Sequence, residues 1–188
     1  MFDLIIIGAG SAGASAALMA AKAKKQVLVL DTQKSLATRA WVENHYGVLE
    51  TTGPDLLEIG LQQVKKFGAT VKNEQVVMVE KQENKLIVTT ETASYEAKHV
   101  ILATGLVTEL AEKIGLEMVP GTEPRVKSIV KVDSCGRTPI SGIWAAGAIA
   151  GESLHTIITA GHGAKVAIEI ISELNSERYV DHDVLKVK

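Results

Sequence analysis

The chain of 188 residues alternates between apolar runs and amphipathic stretches, and each change of pattern marks an element. Leu4–Ile7 is a continuous apolar, β-branched run ending at Gly8, which predicts a central strand covered on both faces. Ser11–Lys25 is rich in Ala and free of Pro, the composition of a helix whose small side chains allow close packing. Gln26–Leu30 predicts a second strand, ending at Asp31, so the first 31 residues read as a βαβ start. Residues 32–52 are weakly periodic and predict an extended loop with one helical turn. Gly53-Pro54-Asp55 opens a helix, with Pro at its first position and an acid in its first turn, that runs to Phe67 and stops at Gly68. From Val71 to Leu102 the pattern predicts three strands, Val76–Lys81, Leu86–Thr90 and Tyr95–Leu102, joined by polar turns as a β-meander. A short helix follows at Glu109–Ile114, then a turn at Pro120–Pro124 and strands at Val126–Val132 and Ile143–Ala146. Thr156–Leu174 is the last helix, and Ser176–Lys188 is polar. The fold class is α/β, with a central parallel sheet, a three-stranded meander and flanking helices. Residues 1–175 are expected to form one domain and 176–188 a peripheral tail.

Composition narrows the function classes. Twenty Lys and Arg against 22 Asp and Glu give a net charge of −2, so no basic surface for nucleic acid is implied. No apolar run approaches the roughly 18–20 residues of a membrane span. The apolar start lacks the basic residues of a signal peptide, which points to a cytoplasmic protein. The single Cys135 allows no disulfide framework and suits a reducing compartment; it reads as a packing or surface thiol. Trp41 and Trp144 read as packing residues, and Lys22–Lys25 as a solvated helix end. His155 and His162 lie seven residues apart without a Cys or carboxylate partner in the pattern, so no metal site is read there.

The candidate chemistry lies in Gly8-Ala9-Gly10-Ser11-Ala12-Gly13, a G-x-G-x-x-G between a strand and a helix. The first glycine permits the tight turn, the second lets amides approach a pyrophosphate, and the third brings helix and strand together. Asp31, 18 residues after Gly13, can accept hydrogen bonds from ribose hydroxyls and disfavours a 2′-phosphate. The spacing indicates a dinucleotide but leaves NAD and FAD both open.

Four further segments resemble the FAD domain of the low-molecular-weight thioredoxin reductases, flavoproteins with two dinucleotide-binding domains. Val42-Glu43-Asn44-His45-Tyr46-Gly47 with Gly53-Pro54-Asp55-Leu56 is similar to V-E-N-[FWY]-P-G … G-P-x-L. Ala103-Thr104-Gly105 resembles the A-T-G that closes the first half of that domain. Val132-Asp133 … Arg137-Thr138 … Gly142-Ile143-Trp144-Ala145-Ala146-Gly147 is similar to V-D-x-x-x-R-T … G-[VI]-[FWY]-A-A-G-D, and His155–Ala167 to the helix start that follows it. The resemblance covers about residues 1–174 and implies FAD as cofactor. It implies that Gly8, Gly10, Ser11, Ala12 and Gly13 hold the pyrophosphate, Asp31 the adenosine ribose, and the Val76 backbone the adenine. Ala103, Thr104 and Gly105 would pack beside the ADP half and Asn44 near the isoalloxazine. Gly147 and Ala148 would face the ribityl chain, and Thr156 and Ile157 would aim the last helix at the flavin pyrimidine, where amides stabilise negative charge on a reduced ring.

The departures carry as much meaning. In the family an NAD(P)H domain bearing Cys-x-x-Cys follows A-T-G, whereas here only Leu106-Val107 precede Thr108-Glu109-Leu110. Ala148 stands where the family has the Asp that binds a ribityl hydroxyl, Ser35 and His155 replace glutamines, and His45-Tyr46 replace an aromatic-Pro pair. With one cysteine, thioredoxin reduction by the family's mechanism is not expected. The sequence therefore predicts a single-domain FAD oxidoreductase or electron-transfer component, fed by diffusible NAD(P)H or a redox partner protein, with His155 the one catalytic candidate beside its structural reading. The alternative is a non-catalytic FAD- or dinucleotide-binding subunit, and an NAD-dependent dehydrogenase ranks third because no substrate domain follows. A homodimer is expected by analogy with the family.

Overall fold

The computed structural model describes residues 1–181 and 183–185. β1 (Phe2–Ile7) opens the chain, and α1 (Ser11–Lys22) carries it to β2 (Val27–Asp31), which pairs with β1 in parallel. The helix stops three residues short of Lys25, because Lys24 adopts a left-handed φ of 62° and the amides of Lys24 and Lys25 bond back to Ala21 and Ala20. The loop after β2 holds a one-turn helix at Leu36–Arg39 and a two-residue ladder of β3 (Trp41–Val42) with β4 (Thr51–Thr52). Trp41 does not pack as its size suggests: it is 60% exposed, on a two-residue strand of this short ladder. α2 (Gly53–Lys66) is capped by Thr52, whose Oγ1 accepts the Asp55 amide at 3.2 Å.

β5 (Thr70–Asn73) was not visible in the hydrophobic pattern; it pairs with β2 as a mostly exposed edge strand. β6 (Val76–Lys81), β7 (Leu86–Thr90) and β8 (Ser94–Leu102) form the antiparallel meander, and β8 also pairs in parallel with β1. α3 (Glu109–Ile114) leads to a hairpin of β9 (Met118–Pro120) and β10 (Ser128–Val130); the expected turn lies at its tip, β9 is added before it, and the expected strand Val126–Val132 is shortened to β10. β11 (Ile143–Ala145) returns beside β8 in parallel, a one-turn helix spans Gly147–Ala150, and α4 (Thr156–Asn175) completes the fold. The main sheet runs β5-β2-β1-β8-β7-β6, with β11 on β8.

Side chains alternate across this sheet into two cores. Leu4, Ile6, Val29 and Ile101 face α1 and α4, while Ile5, Ile7, Leu28 and Leu102 face the β9–β10 side. Trp144 lies in the first core, 2% exposed, donating its indole N–H to His99 Nδ1 at 3.2 Å beneath the Arg137 guanidinium. The part-buried Cys135 packs against the same core, and its amide bonds to Asp133. The C-terminal segment folds back on the helices: Lys22 pairs with Asp181 at 2.7 Å, Arg178 with Glu169, and the Tyr179 amide bonds to Ser172. Residues 182 and 186–188 of the expected tail lie outside the described residues. No described helix is long and apolar enough to cross a membrane.

Candidate functional site

β1, β2, β8 and β11 are parallel, and their carboxyl ends at Ile7, Leu30, Leu102 and Ala145 lie in register along one edge of the sheet. The chain leaves β1 through α1 toward β2, while β8 lies on the opposite side of β1. A crevice forms at such a switch point. Gly8, with φ of 100°, turns the chain out of β1 where the Ala103 carbonyl leaves no room for a side chain. A Cβ on Gly13 would overlap the Gly8 carbonyl and sit 3.2 Å from the Ala103 Cβ, so the first turn of α1 lies flush on the glycine loop.

Gly10 caps α1 without a side chain, and the first turn holds no acid. The Ala14 amide is bonded to the Gly10 carbonyl, so the amides of Ser11, Ala12 and Gly13 precede the helical ladder at its positive end. The Ser35 hydroxyl lies beside this cap, 3.1 Å from where a Gly10 Cβ would stand. Asp31 does more than its position in the motif foretold. Its Oδ1 accepts the Ala9 amide and its Oδ2 the Gln33 amide, both at 2.8 Å. The carboxylate thus ties the glycine loop to the turn after β2, and each oxygen keeps lone-pair capacity for a hydroxyl. It lines a cavity of about 480 Å³ closed on the other side by α2, through Pro54, Leu57 and Leu61. The Glu74 amide bonds to the Asp31 carbonyl, which brings buried Val76 at the start of β6 to the same end of the sheet.

The other half of the site comes from the C-terminal third of the chain. After β11, Gly147 adopts φ of 79° and packs so close to α1 that a Cβ there would stand 2.7 Å from the Ala12 Cβ. Ala148 follows, buried. α4 begins at Thr156 with His155 as its cap, contributes no acid in its first turn, and presses the backbone of Gly163 against Ala12. Thr156 Oγ1 lies 3.1 Å from His45 Nδ1, which fastens the exposed Asn44–Tyr46 loop to the start of α4. The structure therefore gathers the glycine loop, Asp31, Ala103-Thr104, Gly147-Ala148, Asn44 and the His155–Ile157 turn around one edge. Gly105 stands a little apart, in a turn where the Thr104 hydroxyl bonds to the Val107 carbonyl at 2.7 Å.

The two histidines of α4 go separate ways. His155 is exposed, with Nδ1 2.8 Å from Ser153 Oγ. His162 turns inward and accepts the Gly147 amide on Nδ1 at 3.1 Å, with Glu152 Oε1 3.7 Å from the same nitrogen. Burial holds the His162 imidazole below its ordinary range, more strongly than Glu152 raises it. Among the described residues no three His, Cys, Asp or Glu side chains gather as a metal site. The sequence offered no signal for the His162–Gly147 bond, since the partner is a backbone amide 15 positions away.

A dinucleotide fits these residues: glycine backbone lines the cradle, and two helix starts free of acids face it. The family profile described as Pyridine nucleotide-disulphide oxidoreductase matches residues 2–123 and 42–164. The chain belongs to this family. Among its relatives, the thioredoxin reductase of Peptoclostridium acidaminophilum is 38% identical over 125 residues, 64% of this chain and 40% of that protein. The Peptoclostridium litorale thioredoxin reductase is 36% identical over 115 residues, 59% of this chain and 36% of that protein. The matched stretch is thus less than half the length of these curated relatives. A thioredoxin reductase from Gloeobacter violaceus shares the fold with a TM-score of 0.81 at 19% identity, the alignment covering 98% of this chain and 99% of that one. An oxidoreductase from Agrobacterium tumefaciens aligns with a TM-score of 0.82 at 16% identity, covering 94% and 99%. Family membership and the fold shared with solved thioredoxin reductases are thus established.

Proposed function

We propose that this chain binds FAD non-covalently at the carboxyl edge of its sheet and serves as a flavoprotein oxidoreductase or electron-transfer component. The observation that carries this reading is the convergence of α1 and α4 on one crevice: Gly163 sets α4 on the Ala12 backbone, Gly147 packs between Ala12 and Thr159, and Gly13 seats α1 on the glycine loop. Gly10, Ser11, Ala12 and Gly13 would offer amides to the pyrophosphate, and Asp31 its remaining lone pairs to the adenosine ribose. Thr156 and Ile157 would turn the positive end of α4 toward the flavin ring, favouring the negative charge of its reduced form. FAD, when bound, supplies the redox centre, accepting and passing on electrons at its isoalloxazine. The residues' part is to bind and orient it, to shield one face with the Asn44–Tyr46 loop, and to hold His155 near the ring as the one candidate for proton exchange.

Only Ala103–Val107 separate β8 from Thr108, the residue before α3. This spacing supports a chain without an inserted nicotinamide domain, whose reductant is diffusible NAD(P)H or a partner protein. One cysteine provides no dithiol, so the reaction for which the relatives are named is not assigned to this chain. An absorbance spectrum between about 350 and 500 nm, with and without added FAD, tests the reading. A chain that carries no flavin and takes up none refutes it.

Ala148 favours a second reading, a binding subunit without turnover, because the ribityl chain loses a charge-assisted hydrogen bond at this buried position. Adding NADH anaerobically, with photoreduction as the control, separates the two. Bleaching followed by reoxidation on adding an acceptor excludes the passive role. The homodimer belongs to the same proposal and is checked by light scattering during size-exclusion chromatography.

A further inference from the structure

We propose that His162 is a positioning residue for the Gly147–Ala150 turn, and that its protonation loosens the hold of this turn on FAD. The inference rests on the flavoprotein reading above. Gly147 is buried between the first turn of α1 and the second turn of α4, where a Cβ finds no room against Ala12. Its amide has one acceptor, Nδ1 of His162 at 3.1 Å, and the His162 side chain is only 8% exposed. Accepting that bond requires the neutral ring with its proton on Nε2. A protonated ring carries N–H on both nitrogens, so two donors would face each other across 3.1 Å.

The surroundings give the protonated ring somewhere to go. Glu152, which follows the turn, places Oε1 3.7 Å from Nδ1 and would take the bond that Gly147 loses. Lys165, on the next turn of α4, opposes the added charge, as does burial. α1 presents no charged residue in its first turn, so among the described residues Glu152 and Lys165 are the charges facing the ring. Neutral His162 thus holds Gly147 and Ala148 against α1, whereas charged His162 pairs with Glu152 and leaves the Gly147 amide buried without a partner. An amide left that way is costly, and the turn must shift to reach water.

The test follows FAD affinity by flavin fluorescence from about pH 8 to about pH 5.5 in the wild type, His162→Asn and His162→Leu. Asn puts a non-titrating acceptor near the Nδ1 position, and Leu removes the acceptor. Wild-type affinity should fall about tenfold on acidification, the equivalent of one lost hydrogen bond. His162→Asn should stay within about threefold of wild type at pH 8 and vary little with pH, whereas His162→Leu should be weaker by about tenfold throughout. Parallel pH profiles for wild type and His162→Asn, or unchanged binding in His162→Leu, overturn the proposal. A second readout needs no cofactor: in the ¹⁵N-labelled FAD-free protein the Gly147 amide resonance should titrate together with the His162 ring. A Gly147 amide that ignores that titration overturns the positioning role even if His162→Leu fails to fold. If the wild type takes up no FAD at any pH, the flavoprotein reading and the FAD-releasing role fall together, and the Gly147 titration alone decides the positioning role.

Discussion

Two glycines two residues apart in α4 should respond to the same substitution with opposite signs. Gly161 is exposed, and a Cβ built on it meets nothing within 4 Å. Gly161→Ala should therefore gain helix propensity and unfolded-state entropy, about 0.5–1 kcal/mol in stability. Gly163→Ala gains the same intrinsic term but places its Cβ 2.7 Å from the Ala12 carbonyl carbon and 2.9 Å from its Cα, with the carbonyl oxygen nearer still. That oxygen sets the limit, and since non-bonded heavy atoms pack at about 3–4 Å, α4 must retreat from α1 by roughly 1 Å or more. No rotamer change can relieve a clash between a Cβ and backbone, which puts the overpacking cost near the upper end of about 1–3 kcal/mol. The net expectation is a loss of about 2 kcal/mol, against a gain of up to about 1 for its neighbour. At this chain length each kcal/mol moves Tm by about 2–4 °C. Urea titrations with unchanged m-values are the assay, run at one fixed FAD concentration because bound ligand shifts apparent stability. Equal shifts in the same direction for the two variants would refute backbone contact between α1 and α4, and with it the assembly of the crevice.

Three further outcomes follow from other parts of the molecule. Ala148→Asp restores a carboxylate at the turn facing the expected ribityl chain and should tighten FAD by about tenfold or more, read by fluorescence titration. Ser176 ends α4 with a left-handed φ of 57°, so Ser176→Gly should raise stability by about 1 kcal/mol in urea unfolding, and no gain would argue against that cap. Burial holds the His99 imidazole below its ordinary range, while its Nδ1 accepts the Trp144 indole N–H. The unfolded chain therefore binds the proton first as pH drops past about 6.5, so this contribution is complete above that pH and lost as pH falls through the folded value. His99→Asn keeps an acceptor that does not titrate, and the fall in urea midpoint between about pH 7 and pH 5 should shrink in this variant.

Local chemistry was legible in the sequence, and long-range closeness was not. The glycine loop, α2 with its Pro54 start and the meander were readable because each rests on spacing within a few residues. β5 escaped because Thr70–Asn73 is a short, mostly exposed edge whose strand character comes from pairing with β2. The β9–β10 hairpin escaped because Pro120 closes its first strand, and Pro within a run argues for a turn. At the site, Asp31 was readable as an acid at a strand end, but its two backbone bonds to Ala9 and Gln33 depend on how two loops meet. The same holds for His162, whose partner amide is contributed by a different element.

The order of the strands explains how a crevice of this kind tolerates a short connection after Ala103-Thr104-Gly105. β8 reaches the site at Leu102, and β11 returns beside it with Ala145 opposite Leu102, so the chain departs and comes back one strand apart on the same edge. Between them, α3 and the β9–β10 hairpin are built on the β-meander side of the sheet, where Ala111, Leu116 and Val130 join the core of Ile5, Leu28 and Leu102. The glycine loop, α1 and α4 pack on the opposite side, through Leu4, Ile6 and Ile101. The sheet separates α3 from these helices, whereas residues 133–138 cross to α4, where Lys165 bonds to the Ser134 carbonyl and Gly136 packs on Val166. The turn at Gly105–Val107 can therefore vary in length without altering the Gly13, Gly147 and Gly163 contacts, on which the proposed cofactor site depends.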